Sequence, residues 1–120
     1  MVVVNPHNPV PALSRGEVID LYMGRLRQFP DGQGVAPVDY VAELPIKTAF
    51  YYQLTRRSLA QINAYWARLL FNGSARPPLQ AESARDVIKA VATDRAAIGY
   101  IYANEVTDSV KVVARLTADP

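Results

Sequence analysis

The chain has 120 residues, half of them hydrophobic and a fifth charged, enough for one domain with a real core and too few for two lobes of ordinary size. Its net charge of +2 comes from thirteen Lys and Arg against eleven Asp and Glu with signs mixed; a basic stripe interleaved with stacking aromatics is absent, so no nucleic-acid partner is expected. With no cysteine, disulfides, thiolate metal sites and cysteine nucleophiles are excluded, and the redox compartment stays open.

No apolar run reaches the ~20 residues of a membrane helix, so no membrane insertion is expected. The opening MVVVNPHNPVP lacks the basic start and long apolar stretch of a signal peptide. Its β-branched run, Val2 to Val4, predicts a short buried strand that leaves its sheet at Asn5-Pro6, because proline cannot donate to a ladder. A proline-spaced loop follows. Ser14 with Glu17 forms a capping-box pattern, Val18, Leu21 and Tyr22 share one helical face, and Gly24 supplies a left-handed stop. These predict a first helix over roughly 14 to 23.

FPDGQG has turn chemistry. VAPVDY is short and β-rich, and Pro37 assigns it to a sheet edge or a strand start. In ELPIKTAFYYQLT a proline stands where a first helical turn tolerates it, and Phe50 and Leu54 lie four apart, which predicts a second helix. The strongest helix begins at Ser58, which pairs with Gln61 in a second capping box; Leu59, Ile62, Trp66, Leu69 and Leu70 form its stripe and Gly73 its cap. Ser83 with Asp86 opens a fourth helix, buried through Val87, Ile88 and Val91 and ending near Asp94. AAIGYIYA and VKVVARL are then two β-rich segments separated by the polar NEVTDS. The order is strand, helix, strand, two helices, a further helix and two strands. It predicts an α/β fold in one domain over 1–120, with a mixed β-sheet flanked by about four helices.

Catalytic chemistry is poorly supplied. His7 is the only histidine, stands in a proline-rich loop, and has no serine or carboxylate at a nucleophilic spacing, so no enzyme is expected. Asp39, Glu43 and Glu82 are dispersed and read as surface or capping groups. Gly32-Gln33-Gly34 lacks the strand-to-helix setting of a dinucleotide loop and reads as a turn. Metal-ligand spacing is absent, and no cofactor is implied. Asn72-Gly73-Ser74 matches a glycosylation sequon. Phe50, Tyr51, Tyr52, Tyr65, Trp66 and Phe71 have the helical spacing of core residues, with the tyrosine hydroxyls reaching the surface.

One constellation remains. Helix starts expose N–H groups and a positive dipole end that attract anions, and open α/β sheets gather such starts beyond the carboxyl ends of their strands. Ser14, Lys47, Thr48 and Ser83 lie at or near helix starts, and Lys47 adds a cation to the second helix. Together they form a candidate oxyanion site. Plain helix capping is the competing explanation of the same residues.

The succession of segments resembles the periplasmic phosphate-binding proteins of ABC transporters, which have the type II periplasmic-binding-protein fold. In that family a hinge strand leads into a leucine-serine helix ending in aromatic-x-Gly, then a basic residue and an aromatic-Asp turn; here the stretch is ALSRGEVIDLYMGRLRQFPDG. The family's later helix ends in Phe-x-Gly with prolines after it and precedes a strand-forming AIGY, matched here by YWARLLFNGSARPP and AAIGYIYANEV. The match runs over roughly 2 to 113.

The resemblance implies a single periplasmic-binding-protein-like lobe, bacterial export with a signal segment outside this sequence, and phosphate or another small oxyanion as ligand. On it the basic corner after Gly24 is a landmark of the lobe. Two departures accompany it. The family has two lobes that close on the ligand, whereas this chain holds one, so a second copy or another protein would have to complete the cleft. The family's phosphate loop carries an arginine shortly before a Ser-Gly-Thr that opens a helix; here Tyr40 and Leu44-Pro45-Ile46 occupy those places, and only Lys47 and Thr48 substitute by position. The expectation is therefore an oxyanion-binding module with a weak or degenerate site. The alternative is an accessory or protein-interaction domain that has lost its ligand.

Overall fold

The computed structural model describes residues 1–73 and 78–116. In chain order they form β1 (Val2–Val4), α1 (Arg15–Tyr22), β2 (Ala36–Tyr40), α2 (Pro45–Thr55), α3 (Leu59–Phe71), β3 (Leu79–Ala81), α4 (Ala84–Thr93), β4 (Ala97–Tyr100), a 3-10 turn at Ala103–Glu105 and β5 (Lys111–Ala114).

Local chemistry sets the helix ends. Ser14 and Ser58 accept from the amides of Glu17 and Gln61, whose side chains accept in return from the capping residues' own N–H groups, so both expected capping boxes form. Ser83 caps α4 by accepting from Asp86. Gly24 and Gly73 stop α1 and α3 in the left-handed region, at φ 75° and 68°. Arg56 takes that role after α2 at φ 62° without being glycine. Its guanidinium lies 5.3 Å from the Tyr52 ring centroid, a contact that offsets part of a conformational cost of roughly 1 kcal/mol.

The strands form one sheet in the order β3-β2-β4-β1-β5. β2 runs parallel to both β3 and β4, while β1 is antiparallel to β4 and β5, so the sheet is mixed, as expected. The connection from β2 through α2 and α3 moves outward to β3, and the return through α4 passes back over β2 to β4. A shared crossover hand therefore puts α4 on the opposite face from α2. Adjacent residues of β4 record this. Gly99 faces α4, where an added Cβ would stand 2.5 Å from Val87 Cγ1, and Tyr100 stacks on Phe50 of α2 with ring centroids 3.7 Å apart. Val2, Val3 and Val4 have no solvent exposure, which explains why β1, covered on both faces, is an unbroken β-branched run.

Two expectations are corrected here and one alternative is decided. The order read from the sequence has no strand between α3 and α4, yet β3 is there. Its three residues, two of them exposed, carry neither the length nor the alternation of a strand, and β2 supplies its ladder through Val38, Asp39 and Tyr40. Of the two alternatives for Pro37, a strand start or a sheet edge, the strand start holds, since β2 begins at Ala36 and lies between β3 and β4. Among the aromatics assigned to the core, Phe71 is 91% exposed and Tyr52 52%. The sequon at Asn72 extends to Ser74, which lies outside the described residues.

Candidate functional site

Parallel strands β2 and β3 end side by side. Tyr40 pairs with Ala81, and the Val41 amide donates to the Ala81 carbonyl at 2.9 Å, so the segments entering α2 and α4 leave the sheet at one rim. This is the carboxyl-end rim at which open α/β sheets collect ligands. Of the four residues singled out from the sequence, Lys47 and Thr48 in the first turn of α2 and Ser83 at the cap of α4 share it. Ser14 stands apart. It precedes Arg15, whose guanidinium donates to the carbonyls of Gln53 and Leu54 in the last turn of α2. The 11 residues of α2 separate its two ends by about 16 Å.

The start of α2 is built unlike the other helix starts. Its N-cap, Leu44, has no side-chain acceptor, and Pro45 has no N–H to satisfy. The amides of Lys47 and Thr48 both donate to the Leu44 carbonyl, at 2.9 and 3.1 Å, and the Ile46 amide has no acceptor among the described residues. Glu43, just before the cap, accepts from Asn63 of α3 at 3.3 Å and so does not cap the helix. The Lys47 ammonium reaches back to donate to the Tyr40 carbonyl at 2.8 Å. A positive helix end, a cation and an exposed Thr48 thus lie together without a carboxylate cap. On α4, Ser83 Oγ accepts from the Asp86 amide at 3.3 Å, which leaves its hydroxyl proton for an acceptor.

One residue before Tyr40, Asp39 is buried, 7% exposed. Its carboxylate accepts from the Tyr51 hydroxyl of α2 at 2.5 Å, from the Tyr100 hydroxyl of β4, and from the Tyr40 amide at 2.8 Å. Around it the Tyr40 hydroxyl donates to the Tyr100 carbonyl at 3.0 Å, and the Tyr22 hydroxyl lies between the carbonyls of Val38 and Ile98. Burial first, then the charge and hydrogen bond of Asp39, push Tyr51 and Tyr100 well above the ordinary tyrosine range. Burial followed by the Asp39 charge raises Tyr22 likewise, and burial followed by Glu105 and Asp39 raises Tyr40. The hydroxyls therefore stay protonated donors at neutral pH.

This cluster corrects the placement of Asp39 among surface or capping carboxylates and of the Tyr51 hydroxyl at the surface. Its one signal in the sequence is an Asp between Val38 and Tyr40 in a strand otherwise fit for burial. His7 is exposed in its loop, and the described residues contain no group of three or more His, Asp or Glu placed to hold a metal ion.

The fold, a mixed sheet flanked by four helices, is that of a single lobe of a phosphate-binding protein. The chain superposes on an ABC-type phosphate transport receptor from Vibrio cholerae with a TM-score of 0.74 at 24% identity, covering 99% of this chain and 46% of that one. A protein from Clostridium perfringens assigned as a phosphate ABC transporter substrate-binding protein, with phosphate bound, gives 0.74 at 18% identity over 93% of this chain and 42% of that one. A protein from Planctomyces limnophilus assigned to phosphate binding gives 0.60 at 13% identity, over 83% and 34%. The chain spans less than half the length of each of these structures. No protein-family model matches the sequence, and comparison with curated proteins yields no significant match. The resemblance carried by the order of motifs is thus matched in three dimensions, at the level of the fold. Among the described residues no helix is long and apolar enough to cross a membrane.

Proposed function

We propose that the chain is a non-catalytic, single-lobe module that holds a small oxyanion such as phosphate at the first turn of α2. The observation that carries this reading is the uncapped helix start with Lys47 beside it, on the rim shared with Ser83 of α4. The Ile46 amide, without an acceptor among the described residues, the Thr48 hydroxyl and the Lys47 ammonium, swung off the Tyr40 carbonyl, supply donors to one side of an anion. One wall leaves the other side of the anion in water, so the affinity falls in the millimolar range, about −4 kcal/mol. Ser14, at the far end of α2, takes no part. The bound phosphate in the Clostridium perfringens structure supports the ligand class. Export from a bacterial cell, and completion of the cleft by a second copy or another protein, belong to the same proposal.

A second reading, a protein-interaction lobe without a ligand, is favoured by Val41 and Tyr102. They follow the ends of β2 and β4 and are 53% and 47% exposed at the rim.

Titration calorimetry with phosphate and sulfate separates the two. Saturable heat at millimolar anion, weakened about tenfold by Lys47→Ala, is the result expected for a lost charge-assisted hydrogen bond. Absence of heat with either anion would remove the ligand and leave the interaction reading.

A further inference from the structure

The solvent side of α3 is apolar where a helix surface is ordinarily polar. Leu59 and Ile62 are buried, and the face turned away from them carries Ala60, Ala64, Ala67 and Phe71, at the four- and three-residue steps of one helix face and all exposed. Phe71 is 91% exposed and Leu70 beside it 44%. They close an apolar run at the carboxyl end of a helix about 20 Å long, and the fold leaves both outside.

Charge is segregated in the same part of the chain. From Leu44 to Ala81 there is no Asp or Glu against Lys47, Arg56, Arg57, Arg68 and Arg76, which leaves eight cations against eleven acids for the rest of the sequence. Arg76 lies outside the described residues. Arg57, just before the N-cap of α3, and Arg68, in its last turn, are exposed, and neither guanidinium meets a carboxylate among the described residues. One carboxylate is engaged by a side chain of the helix: Glu43 accepts from Asn63 at 3.3 Å.

Area and charge together select what this face meets. A bare phenylalanine offers about 200 Å² and the alanines add only methyl groups, whereas a stable protein–protein contact takes about 800 Å² from each partner. A lipid surface sets no such threshold, because binding grows with each apolar side chain that enters the headgroup layer and each cation beside it. We infer that the outer face of α3 docks on an anionic lipid bilayer, with Phe71 and Leu70 entering the interface and Arg57 and Arg68 against the lipid headgroups. The contact is peripheral and needs no spanning helix. It is separate from the oxyanion site proposed above, whose donors come from the first turn of α2.

The test is flotation of the unaltered chain with vesicles of phosphatidylglycerol and phosphatidylcholine in equal parts, against vesicles of phosphatidylcholine alone. Binding is expected on the anionic vesicles, about tenfold weaker on the neutral ones, and weakened by salt. Phe71→Ala, at a position too exposed for its loss to unfold the chain, should bind about tenfold more weakly, and joint replacement by Arg57→Gln and Arg68→Gln should lose about as much. No flotation, equal flotation on the two kinds of vesicle, or undiminished flotation of either variant would overturn the inference. So would greater release by phosphate than by chloride at equal ionic strength, which would assign the headgroup to α2. A dimer of the unaltered chain that Phe71→Ala abolishes would overturn it too, by assigning the face to a second copy.

Discussion

The residue with most at stake in the interior is Asp39. Two tyrosine hydroxyls from different elements converge on its carboxylate, so each link ties β2 to a neighbour, Tyr51 to α2 and Tyr100 to β4. Hydrogen bonds to a buried charged group contribute about 1.5–3 kcal/mol. Tyr51→Phe and Tyr100→Phe are each expected to lower urea-unfolding stability by that amount. The double variant should lose less than the sum, because one unmet carboxylate is shared; strict additivity would show that the hydroxyls act separately. The same cluster predicts alkaline lability. Tyr22, Tyr40, Tyr51 and Tyr100 have folded pKa values above the unfolded value of about 10. Their stability contribution is full below that pH and is lost as pH rises, since the unfolded chain then releases protons that the folded chain retains. At about 1.4 kcal/mol per group and pH unit, the four give a slope that approaches about 5 kcal/mol per unit above pH 10. Tyrosinate absorbance and loss of helical circular dichroism should therefore finish together. Ionisation of all seven tyrosines in a chain that keeps its helical signal would contradict this. By contrast, the basic corner after α1 carries little energy: Arg25 meets Asp20 at 3.5 Å with both side chains about half exposed. Its order comes from the backbone, where the amides of Arg25 and Leu26 both donate to the Asp20 carbonyl.

At the scale of elements, the tightest fit lies between α4 and β4. Val87 is fully buried and occupies the space that a side chain at position 99 would need. A β-branched residue cannot move aside cheaply. Gly99→Ala is therefore expected to cost about 1–3 kcal/mol, measured by thermal or urea unfolding. Val87→Ala in the same chain should recover part of that loss by making room, and a double variant no better than the sum of the two singles would show that the contact does not limit packing. The motif AIGY thus has a physical content: Ala97 and Gly99 let a helix close in, and Ile98 and Tyr100 fill the opposite face. α2 has the opposite character, its amino end without a side-chain cap and its carboxyl end closed by Arg15 from α1. An element secured at one end and open at the other is suited to receive a ligand at the open end.

For the whole molecule, the deciding feature is that one sheet presents one rim. A ligand bound there stabilises the folded chain by mass action, about 1.4 kcal/mol at ten times its Kd. Phosphate at tens of millimolar should raise the melting temperature of the unaltered chain and leave that of Lys47→Ala nearly unchanged; equal rises in both would point to a general salt effect. Sedimentation with and without phosphate then tests completion of the cleft by a second copy. A purely monomeric chain at high concentration in both conditions would exclude self-pairing.

The sequence by itself determined what depends on residues three or four apart: the capping boxes at Ser14 and Ser58, the cap at Ser83, the stops at Gly24 and Gly73, and the turn through Asp31 and Gly32. The order of those pieces was enough to indicate the lobe. Only the tertiary structure decided that β3 exists, that Asp39 is buried, and that Ser14 stands at the far end of α2 from Lys47. Each of these rests on partners distant in the chain. Asp39 and Tyr100 are 61 residues apart and Arg15 and Leu54 are 39, so their encounter is set by strand order and crossover hand. Periodicity and capping operate within one or two turns of chain and carry no record of which ends will meet.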